Sequence, residues 1–152
     1  MDIQQNKQLV TQGYEKFRAG DIDGLLQLFA EDAEWIGMEV EPVSFSGDYH
    51  GRQGIAQFFS DLSQAQEAES FEPREMIAEG DRVVVLGRAK WRVRATGKSY
   101  DEPWAHCFTI RDGKVVRFEQ YYDTAATRAA FLSDQMPLQS GAGAGTTATP
   151  LH

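Results

Sequence analysis

The sequence predicts a single α+β domain in which helices come first and an antiparallel sheet follows. Three observations carry that prediction. Apolar residues recur at helical spacing as far as Leu62. Beyond that point, strand-forming residues dominate successive segments separated by short breaks. One of those breaks, Asp112-Gly113, is a two-residue hairpin signal, because both positions tolerate positive φ. Helices followed by consecutive hairpins are the pattern of an α+β fold.

The first helix follows from Val10, Tyr14 and Phe17, which fall on one face at i, i+4 and i+7. Gly20 can adopt the left-handed conformation that ends it. Asp21 can cap the next helix through its carboxylate, and Ile22, Leu25, Leu26 and Phe29 continue the helical pattern. A strand is expected over 33–40. Ile55, Phe58, Phe59 and Leu62 share a face of a third helix over 52–62. Strands are then expected over 72–78, 82–95, Ser99–Arg111 and Lys114–Tyr122, and Asp123 is placed to cap a short final helix. The domain is expected to span 1–135. Residues 136–152 are Gly-, Ala- and Thr-rich, offer little to bury, and are expected to form a flexible tail.

Composition narrows the classes of function. A chain of 152 residues with 41% hydrophobic and 25% charged residues is of ordinary globular type and can build one real core. Its net charge of −8 disfavours nucleic acid, whose phosphates it would repel. No apolar run approaches the ~20 residues of a membrane span. The start of the chain carries no apolar signal region, so a cytoplasmic location is expected. One cysteine, Cys107, excludes an intrachain disulfide framework and a cysteine-rich metal site. His50 and His152 are too scattered to suggest zinc, so no metal and no cofactor is expected.

Strand alternation separates an inner from an outer face. Val83, Val85, Gly87, Ala89, Trp91 and Val93 share the apolar, inward side of one strand; Arg88, Lys90, Arg92 and Arg94 take the other. Trp104, His106, Phe108 and Ile110 share a face of the hairpin, and Val116, Phe118, Gln120 and Tyr122 share one on its partner. In the first strand Trp35, Gly37 and Glu39 alternate to one side. These sets converge on a cavity lined by Trp35, Trp91, Trp104, Phe118 and Tyr122, with His106, Gln120 and Glu39 as its polar groups. A mostly apolar cavity with a few placed polar groups suits a small organic molecule. His106 reads either as a hydrogen-bonded core residue or as a functional group, and Glu39 either as a solvated strand end or as the carboxylate that tunes His106. His106 and Glu39 are the candidate catalytic pair.

Five pieces in order extend the reading: the A-G-D joint at Ala19–Asp21, F-A-E-D-A-E-W from Phe29, Y-H-G-R-Q-G-I-A-Q-F-F from Tyr49, W-A-H-C-F-T-I-R-D-G-K-V-V-R-F from Trp104, and Y-Y-D-T-A-A from Tyr121. Together they resemble the SnoaL-like branch of the nuclear transport factor 2-like superfamily, which includes ketosteroid isomerase and polyketide cyclases. The resemblance implies a cone in which N-terminal helices close a strongly curved antiparallel sheet around an apolar pocket. It implies a homodimer through the outer sheet face. It also implies either cofactor-free acid–base chemistry of isomerase, cyclase or hydratase type, or a non-catalytic ligand-binding or assembly module. Ketosteroid isomerase itself needs a carboxylate base and an oxyanion hole of a tyrosine and a protonated aspartic acid. Alignment through the A-G-D joint sets Gly13 at the tyrosine, with Tyr14 one residue on, and Gly37 at the base. Ala105 or His106 falls at the acid, depending on hairpin length. That set is missing, so steroid isomerisation is excluded from the reading.

Overall fold

In the computed structural model, which describes residues 2–133, helix α1 spans Ile3–Ala19 and α2 spans Ile22–Leu26. Asp2 starts α1 through a reciprocal capping box with Gln5. Gly20 ends it at φ 77°, and Asp21 caps α2 by accepting the Gly24 N–H at 2.9 Å, both as the sequence predicts. The chain continues as β1 (Phe29–Ile36), β2 (Tyr49–His50), α3 (Gly51–Ala65), β3 (Gln66–Glu79), β4 (Arg82–Val93), β5 (Ser99–Arg111), β6 (Lys114–Tyr122) and α4 (Thr124–Phe131). Asp123 caps α4 through the Ala126 N–H. The predicted 136–152 tail lies outside the described residues.

The six strands form one curved, unclosed sheet in the order β2-β1-β6-β5-β4-β3, with the N-terminal helices packed on it. Strands β3 to β6 pair antiparallel, as the hairpin signals predict. Asp112 and Gly113 take φ 50° and 76°, the two positive values the turn needs. The sheet is nevertheless mixed, because β1 runs parallel to β6. The expectation of a purely antiparallel sheet omitted this pair, which joins strands separated by most of the chain and so leaves no local turn signal.

Two boundaries also move for physical reasons. Phe29, expected on the second helix, opens β1 instead; α2 ends after five residues and the Leu28 carbonyl accepts the Val115 N–H, committing the chain to the sheet. Strand β3 starts at Gln66, directly after α3, although Q-E-A-E-S has little strand propensity. Pairing with β4, from Gln66↔Val93 onward, supplies what propensity lacks. Its Pro73 is tolerated because β3 is an edge strand with a register shift beside it.

The inner face follows the predicted alternation through β4, where Val83, Val85, Ala89, Trp91 and Val93 are buried. In β6 the alternation slips. A register shift opposite Thr109 and Ile110 makes Val115 the buried valine, and Val116, expected inward, is only half-buried. The segment 37–48, with no strand of its own, adds Val40, Val43 and Phe45 to the core. On the outer face the basic row of β4 is matched by acids on its neighbours: Arg88 pairs with Asp101, Lys90 with Glu69, and Arg92 and Arg94 with Glu67. These are exposed pairs of small energetic weight, and they leave the row without the unbalanced charge that a phosphate site would need.

Candidate functional site

Between the helices and the inner sheet face lies an aromatic cavity with a free volume of about 100 Å3. An apolar cavity of roughly 150 Å3 takes up benzene, so this cavity is smaller than one that holds a single ring and its walls must give for a ring to enter. Trp35, Trp91, Trp104, His106, Phe118, Gln120 and Tyr122 all line it. Glu39 does not. It is exposed, in the 37–48 segment, with its carboxylate beside Gly47, so it is not brought together with His106. The strand expected to carry it inward ends at Ile36.

β5 provides the spine of the site. Tyr100, Glu102, Trp104, His106 and Phe108 follow one another at every second position and all face the cavity. β6 sets Tyr122 opposite Trp104, Gln120 opposite His106 and Phe118 opposite Phe108. β4 sets Gly87 opposite Trp104. A Cβ on Gly87 would come within 2.3 Å of the Trp104 indole and 2.4 Å of the Glu72 carbonyl oxygen, so the indole lies across backbone that only glycine can offer. Trp104 is stacked on His106 at 4.0 Å and on Phe71 at 4.9 Å between ring centroids.

Helix α1 adds a residue that sequence reasoning left as core. Tyr14 Oη lies 2.7 Å from His106 Nδ1. The signal was present, since Tyr14 is on the apolar face with Val10 and Phe17, but a helix wheel does not say which strand residue such a tyrosine will meet. Burial pulls the His106 imidazole down to about 3 and pushes the Tyr14 phenol well above its usual range, so both are neutral at physiological pH. The direction of the Tyr14–Nδ1 bond follows the imidazole tautomer, so Nε2 donates when Tyr14 donates to Nδ1 and accepts when Nδ1 donates to Tyr14; Nε2 has no hydrogen-bond partner among the described residues.

At the other end, against α4, lies a group the sequence reading missed. Glu102 is 5% exposed and lines the cavity. Its Oε1 receives the Thr127 hydroxyl at 3.3 Å. Burial pushes its carboxyl up to about 8, and the charges of Asp123 and Asp101 push the same way, against the Thr127 hydroxyl and the Asp123 backbone N–H, which pull it down. At pH 7 the acid form therefore dominates. Glu102 is two residues before Trp104 in the same alternation, which is the signal that could have found it. Nearby, Tyr100 Oη donates to Gln66 Oε1 at 2.7 Å, and burial first, then the Glu102 charge, push Tyr122 up to about 12.

The cavity is thus uncharged at neutral pH but not without polarity. Trp35 Nε1, Trp104 Nε1 and Tyr122 Oη are buried and have no hydrogen-bond partner among the described residues. Unpaired buried donors are costly, and all three belong to residues that line the cavity. Among the described residues no group of His, Cys, Asp or Glu could hold a metal ion, and no helix is long and apolar enough to cross a membrane.

Known proteins match this architecture. The sequence pattern of the SnoaL-like domain matches residues 10–118. The chain belongs to the SnoaL-like family. Among solved structures, a nuclear transport factor 2-like protein from Burkholderia xenovorans LB400 is 35% identical, with 86% of this chain and 98% of that one covered and a TM-score of 0.78. A nuclear transport factor 2-like protein of unknown function from Burkholderia pseudomallei K96243 is 28% identical, covering 88% and 100%, with a TM-score of 0.79. TerC, co-crystallised with polyporic acid, is 31% identical, covering 83% and 97%, with a TM-score of 0.73. No curated protein gives a significant match. At Gly37 a Cβ would come within 2.3 Å of the Gly47 carbonyl oxygen, so no side chain fits there without a shift of backbone.

Proposed function

We propose that this protein binds a small, largely apolar organic molecule with a carbonyl or enol oxygen in its aromatic cavity, and moves a proton on it without a cofactor. The observation that carries this reading is the set of buried, unpartnered donors, Trp35 Nε1, Trp104 Nε1 and Tyr122 Oη, on the wall of an otherwise apolar cavity. The His106–Tyr14 pair supports it, because Tyr14 holds the neutral imidazole through Nδ1 and leaves Nε2 free to exchange a proton with the guest. The relative TerC, crystallised with an organic acid, supports the ligand class. The reading extends to a homodimer through the outer sheet face, where Leu86 and Tyr121 are exposed, and to action in the cytoplasm. Light scattering that gives a monomer at micromolar concentration would remove the dimer.

A second reading, a binding module without chemistry, is favoured by one feature: burial leaves His106 too weak a base to hold a proton at neutral pH. Acetophenone incubated with the protein in D2O separates the two. Proton-transfer chemistry predicts protein-dependent deuterium on the carbon next to the carbonyl, seen by mass spectrometry. Binding of the ketone without exchange would leave the module. The absence of any binding would overturn both.

A further inference from the structure

Glu102 is the buried titratable group that the His106–Tyr14 pair does not use. It stands four residues from His106 on the same strand face, roughly 13 Å along the strand, with Trp104 between them. Its contacts hold it loosely. Thr127 shares one hydroxyl proton between two acceptors, the Asp123 carbonyl oxygen at 2.9 Å and Glu102 Oε1 at 3.3 Å, so Glu102 has the longer contact, and the Asp123 backbone N–H is its other donor. No arginine, lysine or histidine pairs with this carboxyl; the charged groups that act on it are Asp101 on its own strand and Asp123 at the head of α4, with the phenols of Tyr100 and Tyr122 beside it. Asp101 is itself engaged by Arg88 at 3.2 Å. On the adjacent strand Tyr122 Oη is buried without a partner, and so is the indole N–H of Trp104, whose residue is 5% exposed.

A carboxyl with no countercharge among the described residues, on a cavity wall beside the unpartnered phenol of Tyr122, is a set built to meet an oxygen. We propose that Glu102 is a ligand-binding acid, whose carboxyl proton is donated to a carbonyl oxygen of the guest at the α4 end of the cavity, with Tyr122 Oη–H as second donor. This rests on the reading that the cavity takes a small organic molecule, and it deepens that reading by naming the end at which the oxygen is held. Should the guest carry an enolate, the same proton passes from the Glu102 oxygen to the enolate oxygen, leaving a carboxylate stabilised by the Asp123 N–H.

The test uses the full chain and two probes of similar size, acetophenone and ethylbenzene, which differ in the presence of the oxygen. All three tryptophans line the cavity, so intrinsic fluorescence reports binding directly. Between about pH 6 and about pH 9.5, Glu102 is the cavity group that changes charge, because His106 titrates far below and the cavity phenols above. Acetophenone should bind about ten-fold more weakly at the upper end of this range, the equivalent of one lost hydrogen bond. Ethylbenzene should bind alike throughout. Glu102→Gln keeps an amide donor that cannot ionise, and should make ketone binding independent of pH. Tyr122→Phe should weaken the ketone several-fold at both ends of the range and leave ethylbenzene unchanged. If both probes bind and the wild-type ketone affinity does not change with pH, or changes equally in Glu102→Gln, the assignment of Glu102 is wrong and the cavity reading stands. If neither probe binds, the cavity reading fails and takes this inference with it.

Discussion

The two ends of the cavity solve the same problem in opposite ways. Each holds a titratable side chain in an apolar wall, and burial drives each to its neutral form: His106 by lowering its pKa to about 3, Glu102 by raising its pKa to about 8. The His106 end is braced, with Tyr14 Oη at 2.7 Å from Nδ1 and Trp104 stacked on the ring. The Glu102 end is looser, with a long Thr127 contact and with Tyr122 Oη unpaired among the described residues. The difference teaches where a guest has most to offer. A braced ring gains one hydrogen bond from a ligand at its free nitrogen, whereas a carboxyl beside an unpaired phenol can gain two.

The largest expected effect is on stability as a function of pH, because the two ends have opposite signs. Glu102 binds its proton more tightly folded than unfolded, so its contribution is full below about pH 4.5 and is lost as pH rises through about 8. His106 binds its proton less tightly folded, so its contribution is present above about pH 6.5 and is lost as pH falls through about 3. The two cancel between about pH 4.5 and 6.5, where these groups give a plateau with a decline of up to about 2 kcal/mol on either flank. Urea unfolding across this range checks it. Glu102→Gln should remove the alkaline decline and deepen the acid one, which then runs uncancelled from about pH 6.5 to about 3 and reaches roughly 5 kcal/mol. A variant that lost both, or neither, would break the claim that the ends titrate independently.

Next in size is the wall the two ends share. Gly87→Ala should cost about 2–3 kcal/mol, since the new methyl meets the Trp104 ring and the Glu72 backbone together. Near-UV circular dichroism of the tryptophans should change with it. A stability loss under about 0.5 kcal/mol would mean that Trp104 does not lie across this strand.

The smallest effect separates the braced end from the looser one. Tyr14→Phe removes the partner of His106 Nδ1 and should cost about 1–2 kcal/mol. Tyr122→Phe removes a hydroxyl that has no partner and should cost nothing or stabilise slightly. Thermal unfolding of the two variants side by side checks the contrast, and equal losses would show that the ends do not differ as described.

Much of this was legible in the sequence. Period-two alternation put Trp91, Trp104, Phe118, Gln120 and Tyr122 on inward faces, and Asp112-Gly113 set the register that brings His106 opposite Gln120. Gly20, Asp21 and Asp123 acted through local capping chemistry, which sequence expresses directly. What escaped was non-local. The parallel β1–β6 pair has no turn to announce it. The Tyr14–His106 bond joins residues 92 positions apart. Glu39 was assigned inward by extending a strand that stops at Ile36. Glu102 was passed over because a carboxylate on an apolar face contradicts the usual pattern of burial; residues that break that pattern are where a site is to be sought.

The claim that this cavity receives an acceptor-bearing guest is tested most directly by the indole N–H signals of the three tryptophans in a two-dimensional 15N–1H spectrum. Trp35 and Trp104 carry indole donors with no partner in the protein. On addition of acetophenone at least one of these two signals should move downfield as its N–H acquires an acceptor, and ethylbenzene should not reproduce that displacement. Three indole signals that stay in place at saturating ketone would contradict the account.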